Sequence, residues 1–441
     1  MGDDPWVVST ILVIIHSMLY RLKQILTGMI LAVICLFLFT FSEPRLVSET
    51  DHVRVYTRDI EFDYVSWMFN AIWVKIQQGA TGTPGYISRE DGKVAVTDYL
   101  LLTQQVNQSE DALNRIYADA SIKDKVSATA HLRAQIADLT KKQTALAPIA
   151  ESVLQEQVSE VAASFGLTTL GQPVPSILFH STPVPDALII SPRDHIEQTV
   201  NISLRPDLTL DQQIALEERV SQGLNVSALV VPIGGVGVYP TMIMQTTDLA
   251  WLTDTIAHEW THNYLELRPL GQLYDETPEL RTMNETTADI SGGEIGAEVM
   301  RRYYPELANN VPSPDLNLIS FNPFNSILAP ATPVFDFNHE MHLTRVTVDA
   351  LLAAGKIDEA ESYMEQRRQV FVQNGYYIRK LNQAYFAFYG AYADVPGGAA
   401  GEDPVGPAVR ALRSQSKSLA DFINRIAWMT SFDTLKKAVG Q

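Results

Sequence analysis

The stretch TDLAWLTDTIAHEWTHNY, Thr247 to Tyr264, decides the reading of this chain. Leu249, Leu252, Ile256 and Trp260 recur at helical spacing, and Thr247 or Asp248 supplies an N-cap, so the segment is predicted to be one helix with an apolar face. At about 100° per residue, His258 and His262 fall one turn apart on a different face, and Glu259 points to the flank between that face and the apolar stripe. Two imidazoles so placed can hold a zinc ion, with a carboxylate beside them able to reach a water in an open coordination position.

The next informative segment is Asn284-Glu285-Thr286-Thr287-Ala288-Asp289. Glu285 and Asp289 share one face of a predicted helix, and Ala288, Gly292 and Gly296 form a small-residue stripe that permits close approach of a neighbour. Upstream, Gly234 to Met244 reads as a flat strand edge whose glycines let another backbone approach closely. A strand edge of this kind can take an extended chain by main-chain hydrogen bonds.

Together, His258–His262 and Asn284–Asp289 resemble the paired motifs of the gluzincins, the thermolysin-like clan of zinc metallopeptidases. The resemblance covers about 45 residues. It implies that His258, His262 and Glu285 are zinc ligands, that Glu259 is the general base, and that Asp289 holds the ring nitrogen of His258 not bound to zinc. A metzincin is excluded, because the position six residues after the second histidine is Arg268. Two neutral imidazoles and one carboxylate leave a fourth position for water, as in a catalytic rather than a closed structural site. Zinc lowers that water's pKa toward neutrality, and Glu259 accepts its proton during attack on a peptide carbonyl. For the oxyanion donor the clan often uses a histidine or tyrosine from the C-terminal region. His339 and His342 with Arg345 come first here, followed by Tyr385 and Tyr389.

Outward from the motif the expected class is α+β and predominantly α-helical: a zincin-like domain with a small β-sheet over residues 171–441, a helical region over 46–170, and a membrane anchor over 1–45. Ile25 to Phe41 is 17 residues without a charge, roughly 26 Å as a helix. Arg21 and Lys23 on its N-terminal flank favour a cytoplasmic N-terminus, which places the rest of the chain in an extracytoplasmic position. Val7 to Tyr20 is a second, shorter apolar run of open role. Tyr64, Trp67, Met68, Ala71 and Val74 suggest an amphipathic helix packed near the membrane or on the main body, and residues 96–165 a helical hairpin or bundle. Short strands are expected at Ser176–His180, Ala187–Ser191, Thr199–Leu204 and Ala228–Val231, with a helix over Thr209–Gly223 among them. A last amphipathic helix is expected from about Ser418 to Val439.

The formal charge of −18 argues against a nucleic-acid partner, since backbone binding needs a basic surface. Cys35 is the single cysteine, so no disulfide forms within the chain and no thiolate ligand is at hand in the part beyond the anchor. The expected partners are therefore a peptide or protein substrate and the membrane. An intramembrane protease is excluded because Asp248, Asp254 and Glu266 crowd the motif helix. The competing function is a catalytically inactive gluzincin scaffold that binds a partner at the membrane; the complete set of ligands and base argues against it. Aminopeptidase and endopeptidase activity stay equally open.

Overall fold

The computed structural model describes residues 23, 27–30, 48–81, 85–118, 122–308, 335–393 and 398–440. Contacts divide the chain into two compact units, Met1–His52 and Val53–Gln441. The expected anchor at 25–41 lies largely outside the described residues, and no helix among those described is long and apolar enough to cross a membrane.

The chain is mostly helical with two small sheets, an α+β architecture. Helix α1 (Glu49–Thr57) and helix α2 (Tyr64–Thr81) are followed by a long hairpin of α3 (Arg89–Ala118) and α4 (Lys125–Ser164). Strands β1 (Phe179–Ser181), β2 (Asp186–Ser191) and β3 (Val200–Leu204), helix α5 (Leu210–Leu224), and strands β4 (Ser227–Pro232), β5 (Gly235–Val236) and β6 (Thr241–Ile243) come next. Helix α6 (Leu249–Glu266) carries the motif, and a short turn of helix, α7 (Pro269–Gln272), leads into α8 (Pro278–Tyr303) and α9 (Pro305–Ala308). After residue 335 the chain adds α10 (Phe337–Ala353), α11 (Ile357–Gln373), α12 (Gln383–Tyr389), α13 (Val405–Gln415), α14 (Leu419–Ile426) and α15 (Phe432–Val439).

One sheet has the order β3-β2-β4, antiparallel throughout, with Ile189 opposite both Asn201 and Leu229. The period-two alternation of its strands feeds two separate apolar clusters. Ala187, Ile189, Leu229 and Val231 face Met364, Phe371 and Phe386, whereas Leu188, Ile190, Ile202 and Val230 face Leu216 and Val220 of α5. Burial on both faces explains why Ala187 to Ile190 is apolar without a break. The second sheet has the order β1-β6-β5, with β1 parallel and β5 antiparallel to β6, so β5 is an edge.

The largest cluster joins the α3–α4 hairpin (Val96, Tyr99, Val153, Leu154) to Leu252, Ile256 and Trp260 of α6, Val299 of α8 and Phe422 of α14. The single helix expected from Ser418 to Val439 is instead two. The first ends with Ile426 and Ala427, and Ser431 caps the second through its side chain, which accepts from the Thr434 N–H. A serine there offers the backbone a local partner that a continuing helix would not use.

Candidate metal centre

Helix α6 starts where its cap residue lies: the Asp248 carboxylate accepts from the Trp251 N–H at 3.0 Å. The stripe of Leu249, Leu252, Ile256 and Trp260 is buried throughout, and the Trp260 indole donates to the Pro175 carbonyl at 2.8 Å. With that face fixed, His258 and His262 are turned toward α8. Thr277 caps α8, and Pro278 occupies its first turn, where a missing N–H costs nothing. The two helices approach closely because α8 is small where they cross. A Cβ on Gly296 would stand 2.7 Å from the Asp254 nitrogen, and one on Gly292 would stand 3.0 Å from His258 Cβ. Thr261 and Ser291 hydrogen bond across the same crossing at 2.8 Å.

Three ligand-type atoms converge here. His258 Nε2 and His262 Nε2 are 3.1 Å apart, and Glu285 Oε2 lies 3.7 Å from the first and 3.5 Å from the second. Ligands about 2.0–2.1 Å from a tetrahedral metal ion are separated by about 3.4 Å, so the triangle has the size of one face of such a site. Glu285 Oε2 is buried and has no hydrogen-bond partner, an arrangement that is costly unless a cation fills the gap. His258, His262 and Glu285 are the group of described residues placed to hold a metal ion.

Every other polar atom of the ligands for which a contact is seen points away from that triangle and is held. Asp289 Oδ1 is 2.9 Å from His258 Nδ1, and Asn284 Oδ1 is 2.8 Å from His262 Nδ1. The Asn284 amide is itself oriented by donation to the Leu270 carbonyl at 3.3 Å. Tyr274 donates its hydroxyl to Glu285 Oε1, which leaves Oε2 for the centre. Arg281 stands behind Tyr274 at 3.4 Å and is tied to the Ala387 carbonyl at 2.8 Å. Such outer partners fix tautomer and ring orientation, and their loss costs 10–100-fold in metal affinity. Asp289→Ala is therefore expected to weaken zinc binding by about 10–100-fold while leaving the fold intact, measured by competition against a chelator.

The electrostatics favour a cation as well. Four carboxyl groups surround the two imidazoles, Glu259 and Glu285 buried and Asp254 and Asp289 half-buried. Burial pushes Asp254 up to about 7 and raises Glu259, against the pull of His258 and His262 on the latter. Burial would lower His258, but its hydrogen bond with Asp289 and the nearby Glu285 carboxylate outweigh this and hold it well above the usual histidine range. Burial likewise works against ionised Glu285, yet the two histidines keep it well below the usual carboxylate range.

Glu259 is buried beside the triangle, under β5. A Cβ on Gly235 would lie 2.6 Å from Glu259 Oε1, and one on Gly237 would lie 2.9 Å from His262 Cβ. The Gly234–Met244 stretch, expected as one strand open to another backbone, is instead two antiparallel strands, β5 and β6, and its glycines face the side chains of α6. Asn263 secures the same approach by donating to Thr241 Oγ1 at 3.1 Å and to the Val238 carbonyl at 3.3 Å.

No family model matches the chain. Neither a curated protein nor a solved structure matches it either. The site therefore has to be read from its own geometry.

The structure brings together His258, Glu259, His262, Glu285 and Asp289. The downstream candidates make their contacts elsewhere. The Asp336 carboxylate caps α10 by accepting from the His339 backbone N–H, His342 Nε2 is 3.4 Å from Glu402, and Arg345 bonds Asp349 and the Ala399 carbonyl. Tyr385 is buried in the apolar cluster under the β3-β2-β4 sheet, its ring 4.5 Å from that of Tyr389. Sequence reasoning passed over Tyr274, in the turn before α8, and Tyr392, whose ring stacks 6.4 Å from the His258 ring. It quoted Asn284 without giving it the role of holding His262. Only Asn284 carried a signal, as the residue directly before Glu285.

Proposed function

We propose that this chain is a zinc-dependent peptidase of gluzincin type that hydrolyses peptide bonds, with Glu259 as general base. The observation that carries this reading is the convergence of three ligand atoms, one of them the unpartnered Glu285 Oε2, directly beside a buried carboxylate that belongs to none of them. Zinc held by His258, His262 and Glu285 would supply Lewis acidity and lower the pKa of a water in the remaining position. Glu259 takes the proton of the attacking water and passes it to the leaving amine. The edge strand β5, which lies against Glu259, offers main-chain groups to an extended peptide. Tyr392, whose ring lies against that of His258, donates its hydroxyl to the substrate carbonyl as charge develops there. In the same reading, residues 25–41 anchor the chain in a membrane and hold the site on the extracytoplasmic side.

The purified chain is expected to contain about one zinc per molecule and to cut members of a peptide mixture, with activity lost to a chelator and restored by zinc. A broad peptide library left uncut by zinc-loaded protein would turn the reading toward a binding scaffold. Tyr392→Phe should retain zinc and lose about 10²–10³ in kcat, as for removal of one oxyanion donor. An unchanged kcat would remove Tyr392 from that role.

A further inference from the structure

Helix α2 is amphipathic in the inverted sense. Val65, Phe69, Ile72, Trp73 and Ile76 recur every three or four residues along one face, and each is exposed, Phe69 by 67% and Trp73 and Val65 by 61%. The opposite face is buried and includes Ala71, Lys75 and Gln78. Lys75 Nζ pairs with Glu151 Oε2 at 2.6 Å, and Gln78 Nε2 bonds the same oxygen at 2.9 Å. The other Glu151 oxygen accepts from the Ser181 N–H at 2.9 Å and lies 2.9 Å from His180 Nδ1. At the other end of α2, Tyr64 and Ser203 share a hydrogen bond of 2.8 Å. Rolling the helix to hide its apolar stripe would strip Lys75 from Glu151 and leave a buried charge without its partner. The stripe is thereby fixed outward.

We propose that this face of α2 lies in the interfacial plane of a lipid bilayer. The inference rests on reading residues 25–41 as membrane-embedded. The uncharged run ends at Phe41 and α2 begins at Tyr64, so the helix with the exposed apolar face follows that run in the chain with α1 between them. The chemistry of the face selects the kind of surface. No Lys, Arg, Asp or Glu stands at an exposed position of α2, and Lys75, its single charged residue, is turned inward. With a net charge of −18 on the chain, electrostatic attraction to anionic lipid is absent, and insertion is driven by apolar area. Tryptophan and phenylalanine at this depth suit the headgroup boundary.

The test uses the full chain with Cys35→Ala and single cysteines at Phe69, Trp73, Asn70 or Gln77, each labelled with an environment-sensitive dye. These positions are all exposed, so the substitutions leave the core alone, and thermal melting checks that. On zwitterionic phosphatidylcholine vesicles carrying a quencher in the acyl chains, labels at 69 and 73 should shift to the blue and be quenched. Labels at 70 and 77, which lie about 80–100° round the helix from Phe69, should be quenched less than the label at 69, and high salt should not change the pattern. Protein that floats with vesicles while 69 and 73 stay unquenched overturns this proposal and leaves the anchor standing. Protein that does not float overturns both. A blue shift without quenching that grows with protein concentration assigns the face to a second copy and overturns the lipid surface.

Discussion

Glu259→Gln is expected to keep about one zinc per chain and to lose peptide hydrolysis by about 10²–10⁴-fold, the usual weight of a positioned acid–base group. The substitution is informative because of where Glu259 sits. It is not part of the triangle formed by His258 Nε2, His262 Nε2 and Glu285 Oε2, so exchanging its carboxylate for an amide removes proton acceptance without removing a ligand. Glutamine is also close in shape, which matters under β5, where the Glu259 carboxyl fills the space that a Cβ of Gly235 would need. Steady-state kinetics on a peptide cut by the wild type, together with metal analysis of the same preparation, checks both halves. Hydrolysis at the wild-type rate with zinc bound would sink the base assignment. Loss of zinc would mean that Glu259 supports the centre as well as the chemistry.

What the sequence reveals follows from how local each signal is. The N-cap Asp248, the stripe from Leu249 to Trp260 and the one-turn offset of the two histidines are properties of a single helix, and α6 carries all of them. The strands of the β3-β2-β4 sheet are legible for the same reason, since each is a short apolar or alternating run bounded by turn residues. Pairing α6 with α8 is a step further, yet the small stripe of Ala288, Gly292 and Gly296 is a local sign of a close helix crossing, and the crossing is there. The groups around the centre are different. Tyr274 reaches Glu285 from a turn, and Tyr392 reaches His258 from beyond α12; neither position is tied to the motif by any period. A guess at His339, His342, Arg345 or Tyr385 has the same weakness, because which downstream side chain meets α6 depends on how α10 to α12 fold over the sheet. The break at Ala427–Ser431 in the last amphipathic stretch shows a related limit: apolar periodicity continues across a gap in which a serine cap ends one helix and begins the next. For α2, periodicity pointed to an amphipathic helix, but which face was buried was decided by the distant partner Glu151.

Glu285→Ala is expected to have the larger effect on the metal. Asp289→Ala removes a partner of a ligand and costs about 10–100-fold in affinity, whereas Glu285→Ala removes a ligand outright and should exceed that range. The two remaining imidazoles, at 3.1 Å from each other, span one edge of the site and cannot define a face. Glu285 is also the ligand whose inward oxygen has no other partner, while its outward oxygen is held by Tyr274, so no alternative role competes for the carboxylate. Stability gives a second readout that is independent of substrate. A ligand that binds only the folded chain stabilises it by about 2.7 kcal/mol at a free concentration 100 times its Kd, so zinc should raise the melting temperature of the wild type. That rise should vanish in Glu285→Ala at the same zinc concentration, and metal content after dialysis should fall to near zero. Retention of one zinc with unchanged affinity would require a different third ligand. Asp289, already 2.9 Å from His258 on its outer side, would have to leave that ring to take the place, and the tautomer of His258 would no longer be held.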